Sequence, residues 1–187
     1  MEDDSIPVQH SQDTIVYSEQ QHTDYDENAD FSDDDCVFCM IVNGMNEGTE
    51  ILKKDAELVC FRDILPAAPH HYLVVTRRHI VSCRSLCTEE HVDLVKRMAE
   101  MGRRVLKDNN VTNREDVRMG FHWPPYISIP HLHLHVLAPA SQISDYMAHK
   151  FLPHTDRFIT EDCLRARLKS DLGVVQHHRT CQTWYCC

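Results

Sequence analysis

The stretch His131-Leu132-His133-Leu134-His135-Val136-Leu137 (HLHLHVL) decides the fold of this chain. In an extended strand, successive side chains point to opposite faces, so the three histidines share one face and the apolar residues between them share the other. The imidazoles are then spaced about 6.6 Å apart, from roughly 3.3 Å of rise per residue. We predict a strand whose apolar face meets the core and whose histidine face lines a site. The alternatives are an accidental histidine run on a solvent-facing strand and a metal ladder.

The rest of the chain shows extended patterns first, then one long helical pattern, then extended patterns again. Strands are predicted over residues 50–55, 57–63, 71–76 and 117–122, where β-branched and aromatic residues are frequent. Apolar residues at three- and four-residue intervals predict a helix that Thr88 caps and Asn109 ends. A short helix over Thr160–Leu172 is expected near the C-terminus, with an irregular end from Gly173.

This order of elements predicts an α+β fold with an antiparallel sheet of about five strands, one long helix and a short C-terminal helix. The chain has 187 residues and a net charge of −10, but residues 1–35 hold twelve Asp and Glu and no Lys or Arg. Such a segment buries too little apolar surface to offset its ordering entropy. We therefore predict a disordered acidic tail over 1–35, a catalytic domain over 36–150 and a C-terminal extension over 151–187.

The remaining residues carry 17 acids against 19 bases, about +2, so the predicted domain can accept an anionic ligand. The two basic pairs, Arg77-Arg78 and Arg103-Arg104, do not form the basic stripe that binds nucleic acid, which argues against nucleic acid as a partner. The sequence holds neither an apolar run of membrane-spanning length nor a secretory signal pattern. We expect a soluble protein of the cytoplasm and also of the nucleus, without a membrane partner and with reduced cysteines.

Histidine titrates near neutrality and can act as a nucleophile, a base or a phosphate partner. The sequence contains no G-x4-GK[ST] loop and no G-x-G-x2-G, so histidines, Ser128 and backbone groups are left to hold a phosphate. Phosphoryl or nucleotidyl transfer through a histidine is the chemistry that this pattern favours.

HLHLHVL resembles the signature of the histidine triad superfamily, and FRDILPAAPHHYLVVTRRHI (Phe61–Ile80) resembles its other hallmark. With CVFC and VRMGFHWPPYISI, the resemblance covers about residues 36–140. It implies the histidine triad fold and hydrolysis of adenosine 5'-monophosphoramidates, such as AMP-lysine, or of aminoacyl adenylates. It also implies a purine nucleotide substrate and a homodimer or higher homo-oligomer.

By position, the resemblance makes the middle histidine, His133, the nucleophile that forms a nucleotidyl-histidine. It implies that His135 contacts the phosphate and that His71 hydrogen-bonds the nucleophile. Ser128 matches the family serine near the leaving group, and His131 completes the triad. All five residues are candidate catalytic residues.

The predicted nucleotide-binding set overlaps this catalytic set. A carboxylate at Asp63 suits two ribose hydroxyls, and Ile64 beside it can pack on the base. His122 replaces an asparagine that is common in the best-known branch of the family. The complete nucleotide-binding set is Asp63, Ile64, His122, Ser128, His133 and His135.

Cys36-Val37-Phe38-Cys39 has the C-x2-C spacing that lets two thiolates meet one zinc ion. The resemblance implies that His79 and His131 complete a structural zinc site. The alternative is a pair of buried thiols at the start of the domain. Nothing in the triad chemistry requires a metal or another cofactor for catalysis.

Three alternatives stay open at the level of sequence. The segment GFHWPPYISIPHLHLHVLAP (Gly120–Pro139) is also similar to aprataxin, which removes AMP from DNA ends, so the substrate could be adenylated DNA or a nucleotide diphosphate. A nonenzymatic adaptor that binds a nucleotide and a protein partner is the other hypothesis for the chain's function. A zinc finger among the C-terminal cysteines and histidines lacks a standard spacing, and a poorly ordered tail is favoured there.

Overall fold

The computed structural model describes residues 36–175, with side chains for residues 36–173. The predicted acidic tail and the C-terminal residues His177, His178, Cys181, Cys186 and Cys187 lie outside the described residues. The helices are α1 Val37–Val42, α2 Glu89–Asp108, α3 Asp145–Ala148 and α4 Glu161–Val175. The strands are β1 Ile51–Lys54, β2 Leu58–Arg62, β3 His70–Thr76, β4 Arg118–His122, β5 His133–Ala138 and β6 Phe158–Thr160. Within residues 36–175, no helix is long and apolar enough to cross a membrane.

The strands form one antiparallel sheet in the order β1-β2-β3-β5-β4-β6. This confirms the predicted α+β class and the antiparallel sheet. The sheet has six strands rather than about five, because β6 pairs along the outer edge of β4, with Phe158 opposite His122. A three-residue strand is too short to show a period-two pattern in the sequence.

The long helix α2 has the predicted limits because its ends are capped. Thr88 accepts a hydrogen bond from the His91 backbone N–H, and the His91 side chain accepts one from the Thr88 backbone N–H. Asn109 is the C-cap, and Asn110 follows with φ +61°. The apolar stripe of α2 packs on the sheet, and Gly102 allows the close approach, since a Cβ there would lie 2.7 Å from Val136 Cγ2.

The C-terminal helix α4 is longer than the sequence predicts and packs beside α2. It begins at Glu161 and continues through Gly173 to Val175, so the expectation of an irregular end from Gly173 is wrong within the described residues. Leu164 and Leu168 are buried in the same core as the α2 stripe. The Glu161 carboxylate, only 2% exposed, accepts hydrogen bonds from Arg103 of α2 and from Arg165.

The two faces of the sheet are covered differently, and this difference positions the site. Helices α2 and α4 cover one face and form the main core with it. On the opposite face, α1 packs against β2 and β3 through Phe38, Phe61 and Leu73. Phe151 and Phe158 belong to a separate cluster of buried apolar residues on that opposite face. The histidines of β5 lie between these two apolar clusters.

Gly120 is the position where a side chain would break the outer edge of the sheet. A Cβ there would lie 2.4 Å from the Ile159 carbonyl oxygen and 2.6 Å from the Phe158 ring. The Ile159 backbone is held in the sheet and cannot move aside as the end of a flexible side chain can. Gly120→Ala should therefore lower the free energy of unfolding by about 1 to 3 kcal/mol. Urea denaturation measures this change, with Gly48→Ala in an open loop as the matched control. Equal destabilisation by the two substitutions would contradict the close packing of β6 on β4.

Candidate active site

Strand β5 places two triad histidines on the face opposite α2. His133 and His135 point to the site, while Leu134 and Val136 between them are fully buried in the main core. The His133 and His135 ring centroids are 4.9 Å apart. His131 precedes the strand, so the prediction that all three rings line one site is wrong: its side chain joins Cys36 and Cys39 instead.

The backbone beside His133 determines which of its ring nitrogens can react. Nδ1 lies 2.5 Å from the His131 carbonyl oxygen, which can only accept, so Nδ1 carries the proton. Burial lowers the pKa of His133 to about 4, so the ring is neutral at pH 7. The lone pair of a neutral His133 therefore lies on Nε2, as a nucleophile requires.

His71 and His135 form a hydrogen-bonded pair behind the nucleophile. The Ala67 N–H donates to His71 Nδ1 over 3.0 Å, so the proton of a neutral His71 is on Nε2. Nε2 donates to His135 Nδ1 at 2.9 Å, which leaves the proton of His135 on its own Nε2. Burial lowers the pKa of both rings, that of His71 to about 3.

His71 does not hydrogen-bond His133, so that part of the prediction is wrong. In the β3–β5 register, His71 lies opposite Leu137 and Val75 lies opposite His133. His71 is thus two residues from His135 along the paired strands and four from His133. Diagonal neighbours on one face of a sheet are within reach of long side chains, whereas more distant residues are not.

The protonated Nε2 of His135 is the feature that points to a ligand. It is buried, and no group among the described residues accepts a hydrogen bond from it. A buried N–H donor without a partner lowers the stability of the fold by about 1 to 3 kcal/mol. The presence of such a donor in this site therefore needs an explanation. It lies beside the nucleophilic ring, and an anionic oxygen placed there would satisfy it.

Asp63, directly after β2, lies against the histidine pair. Its Oδ1 accepts a hydrogen bond from the Leu65 N–H at 2.9 Å. Its Oδ2 lies 3.2 Å from His71 Nε2 and 3.8 Å from His135 Nδ1. Burial raises the pKa of the Asp63 carboxyl, and the Leu65 hydrogen bond partly opposes this effect.

Three further residues predicted to bind the nucleotide differ in how closely they approach these groups: Ile64, Ser128 and His122. Ile64 is 83% exposed, so its apolar face is available to a ligand. Ser128 is exposed in the loop between β4 and β5, where its neighbours Ile127 and Ile129 line a crevice that reaches His133. The His122 ring centroid lies 4.6 Å from that of His135, which brings a fourth histidine into the site.

The site also contains two aromatic residues that the sequence does not predict there. Phe38 of α1 meets the His133 ring at a centroid distance of 5.2 Å and an interplanar angle of 74°. Phe151 lies between 5.1 and 5.3 Å from the rings of His71, His122 and His135. No local pattern marks either residue, and Phe151 was assigned to the C-terminal extension.

Two groups among the described residues bring metal-ligating atoms within 4.8 Å of one another. In the first group, Cys39 Sγ is 3.2 Å from His79 Nδ1, and the two cysteine sulfurs are 3.4 and 3.5 Å from His131 Nδ1. Tetrahedral zinc would place sulfur and nitrogen ligands about 3.6 Å apart, from Zn–S of about 2.3 Å and Zn–N of about 2.0 to 2.1 Å. His131 Nε2 donates to the Thr76 carbonyl at 2.7 Å, which leaves Nδ1 as the ligating nitrogen. These residues fit zinc.

The second group, Asp63, His71 and His135, does not fit a metal ion. A neutral histidine that binds a metal through Nε2 must carry its proton on Nδ1. Nδ1 of His71 instead accepts the Ala67 N–H, so its protonation is opposite to that of a ligand. We interpret this group as a chain of proton donors and acceptors.

Comparison with known proteins gives the family of the chain. Residues 35–150 match the family described as scavenger mRNA decapping enzyme C-term binding. A solved histidine triad protein from Clostridium difficile is 26% identical with a TM-score of 0.51, and the match covers 57% of this chain and 92% of that one. The chain belongs to the histidine triad superfamily, as its resemblance implied.

Within the superfamily, the chain is 50% identical to adenosine 5'-monophosphoramidase HINT3 of Danio rerio, over 80% of this chain and 90% of that protein. It is also 50% identical to the protein of the same name from Xenopus tropicalis, over 72% of this chain and 88% of that protein. Aprataxin of Gallus gallus is 34% identical, over 58% of this chain but only 32% of aprataxin.

The buried histidines predict a loss of stability in mild acid. Burial lowers the pKa of His122 to about 4 and that of His71 to about 3, whereas both lie near 6.5 in an unfolded chain. Between pH 6.5 and 4 the unfolded state binds more protons than the folded state. The free energy of unfolding therefore decreases as the pH is lowered, by up to about 1.4 kcal/mol per pH unit for each such histidine.

Urea denaturation between pH 8.5 and 5 measures this dependence. The His122→Asn variant should show a shallower slope below pH 6.5 and the wild-type slope above pH 7.5, which serves as the internal control. If the two proteins had the same slope below pH 6.5, burial of a neutral His122 would be ruled out.

Proposed function

We propose that this protein is a purine nucleoside phosphoramidase that hydrolyses adenosine 5'-monophosphoramidates through a covalent intermediate on His133. One observation carries the proposal. The hydrogen bond from His133 Nδ1 to the His131 carbonyl leaves the lone pair of His133 on Nε2, and the adjacent His135 ring carries an unpaired Nε2–H. The two relatives named adenosine 5'-monophosphoramidase, each 50% identical, support the choice of substrate class.

The first half of the reaction forms a bond between His133 and phosphorus. Nε2 attacks the α-phosphorus, the P–N bond to the amine breaks, and the leaving nitrogen takes up a proton from water. The His133 ring becomes cationic, and the His131 carbonyl that accepts its Nδ1–H stabilises this charge. His135 Nε2–H donates to a phosphoryl oxygen as negative charge develops there.

The second half of the reaction regenerates the enzyme. Water attacks the same phosphorus and gives up a proton to the solvent, the bond to His133 Nε2 breaks, and AMP is released. Ile64 offers its exposed apolar side chain to the base. That Asp63 binds the ribose and that Ser128 lies near the leaving group stay predictions, as does the homodimer.

The nucleophile is tested by His133→Asn, which keeps a polar side chain of similar size but removes the attacking nitrogen. Turnover of an AMP-amine should fall at least about 1000-fold, because the covalent route is lost, while AMP still binds. Steady-state kinetics and calorimetric titration with AMP measure the two effects. The control is His149→Asn, an exposed histidine at the end of α3. A variant within tenfold of the wild type would overturn the mechanism.

Cleavage of adenylated DNA is the second candidate, and the similarity to aprataxin favours it. The match covers a third of aprataxin, whereas it covers nine tenths of the Danio rerio phosphoramidase. A panel of AMP-amine, diadenosine polyphosphate and adenylated DNA separates the candidates. AMP-amine should give the highest kcat/KM of the three substrates. A higher kcat/KM on either of the other two would contradict the proposed substrate class.

We also propose that Cys36, Cys39, His79 and His131 hold a structural zinc ion that fixes α1 to the start of β5. The ligand distances and the proton on His131 Nε2 support this proposal. Zinc here would supply stability, while the catalytic groups of the neighbouring site remain His133 and His135.

Metal analysis of the purified protein should give about one zinc per chain. Cys39→Ala should bring the zinc content near zero and lower the thermal midpoint, because a ligand and the link to α1 are both lost. Cys87→Ser is the matched control, since Cys87 is exposed and outside the cluster. Zinc well below one per chain in the wild type, with a midpoint insensitive to chelators, would exclude the site.

A further inference from the structure

The Phe151 ring contacts three histidines of the site at once. Its centroid lies 5.3 Å from that of His71, 5.2 Å from that of His135 and 5.1 Å from that of His122. The contacts with His71 and His135 are edge-to-face, with interplanar angles of 89° and 68°, an arrangement that aromatic pairs prefer. One phenyl ring therefore packs on the hydrogen-bonded histidine pair and on the histidine beside it.

Phe151 leaves almost no surface for a ligand. It is only 2% exposed and belongs to the buried cluster that also contains Leu137 and Ile143. A side chain that touches a substrate directly has to be open to the site, as the exposed Ile64 is. Any effect of Phe151 on the reaction therefore passes through the histidines that it contacts.

The backbone of Phe151 is held by hydrogen bonds on both sides. Its N–H donates to the Ala148 carbonyl at 3.2 Å, and its carbonyl accepts a hydrogen bond from Arg118 Nη1 at 3.1 Å. The Phe158 ring meets the Phe151 ring at a centroid distance of 5.7 Å. Arg118 and Phe158 lie on β4 and β6, strands of the sheet that also carries the histidines. The position of the Phe151 ring relative to the histidines is therefore fixed by the sheet.

The direction of the His135 Nε2–H depends on the rotation of the imidazole about its Cβ–Cγ bond. This torsion has broad minima, so the rotamer alone does not fix the direction of the N–H. His71 Nε2–H donates to His135 Nδ1, which restrains one ring nitrogen, and the Phe151 ring packs against the imidazole and limits its rotation. Packing of this kind is what holds a functional side chain in a productive geometry.

Phe151 also helps to exclude water from the histidine pair. Both rings are buried, and the His135 Nε2–H has no acceptor among the described residues. A donor that carries no water does not have to lose one before it meets an anionic oxygen, and the interaction is stronger in a site of low dielectric constant. A smaller side chain at position 151 would open room beside this donor.

We propose that Phe151 is a positioning residue that acts through the His71–His135 pair and holds the His135 Nε2–H toward the phosphoryl group. The inference rests on the proposed function, since it assumes attack at phosphorus by His133. It also gives a role in the reaction to the chain beyond residue 150, where both the predicted catalytic domain and the family match end.

Phe151→Leu tests this role, because leucine is apolar but cannot make the edge-to-face contacts. On an AMP-amine, kcat should fall about 10- to 100-fold, since misplacing a reacting group by about 1 Å costs up to about 100-fold. A loss of at least fivefold supports the proposal, and a smaller loss overturns it. Should Phe151→Leu fail to fold by thermal denaturation, Phe151→Met replaces it under the same criteria.

Ile143→Ala is the matched control, because Ile143 lies in the same buried cluster but has no ring to pack on a histidine. It should lower the thermal midpoint and leave kcat within about threefold of the wild type. If it lowered kcat as much as Phe151→Leu does, general loosening of the cluster would explain both losses, and the proposal would be wrong.

A double variant tests whether the effect passes through His135. Adding Phe151→Leu to a His135→Ala protein should cause less than a threefold further loss in kcat, because the group that Phe151 positions is already absent. A purely structural role would lower kcat by the same factor in both backgrounds. Multiplication of the two single losses would therefore contradict the proposal.

The proton of His71 Nε2 provides a spectroscopic test that needs no substrate. Buried between two rings, it should exchange slowly with water and give a downfield ¹H NMR signal that is lost in His71→Asn. The signal should broaden or disappear in Phe151→Leu and persist in Ile143→Ala. Exchange at the wild-type rate in Phe151→Leu would show that Phe151 does not hold the pair.

Failure of this inference differs from failure of the proposed function. Wild-type hydrolysis of the AMP-amine and its loss in His133→Asn test the phosphoramidase. An active wild type together with a Phe151→Leu protein of nearly equal kcat would remove the inference and leave the function standing. A wild type that does not cleave the AMP-amine would remove the function, and the inference with it.

Discussion

The alternation of side chains along β5 is the constraint on which the site depends. Leu134 and Val136 are fully buried against α2, and this burial holds the strand in a single register. A slip of one residue would move these side chains to the site and the histidines to the core. Because the apolar face fixes the register, His133 and His135 are held on the opposite face. The packing of the core therefore determines the relative position of these two histidines.

Hydrogen bonds to the backbone then decide the chemistry of each imidazole. The His131 carbonyl holds the proton of His133 on Nδ1, the Ala67 N–H holds that of His71 on Nε2, and the Thr76 carbonyl holds that of His131 on Nε2. Four similar side chains thus divide into the proposed nucleophile, a hydrogen-bonded pair and a proposed zinc ligand. His131 belongs to two of these environments, because its ring faces the cysteines while its carbonyl orients the nucleophile.

Much of the fold and of the site can be predicted from the sequence alone. Strand β5 and the capped helix α2 follow from periodicity, which is a local property, and the superfamily is identified by the resemblance of its motifs. The C-x2-C pair and its two histidines were grouped by resemblance, and the structure brings their ligand atoms together. Strand β6 and the contacts of Phe151 could not be predicted, because a three-residue strand and a lone aromatic residue in a loop have no periodic signal.

The sequence by itself determined the strand, its two faces and the identity of the histidines, since each follows from a spacing of two along an extended chain. Only the tertiary structure decided which histidines touch. His71 meets His135 and not His133 because strand register, which joins residues 64 positions apart, sets that distance. The contact of the Asp63 carboxylate with the histidine pair likewise depends on the pairing of β2 with β3. Pairing between distant segments depends on packing across the whole sheet, and no local pattern in the chain encodes it.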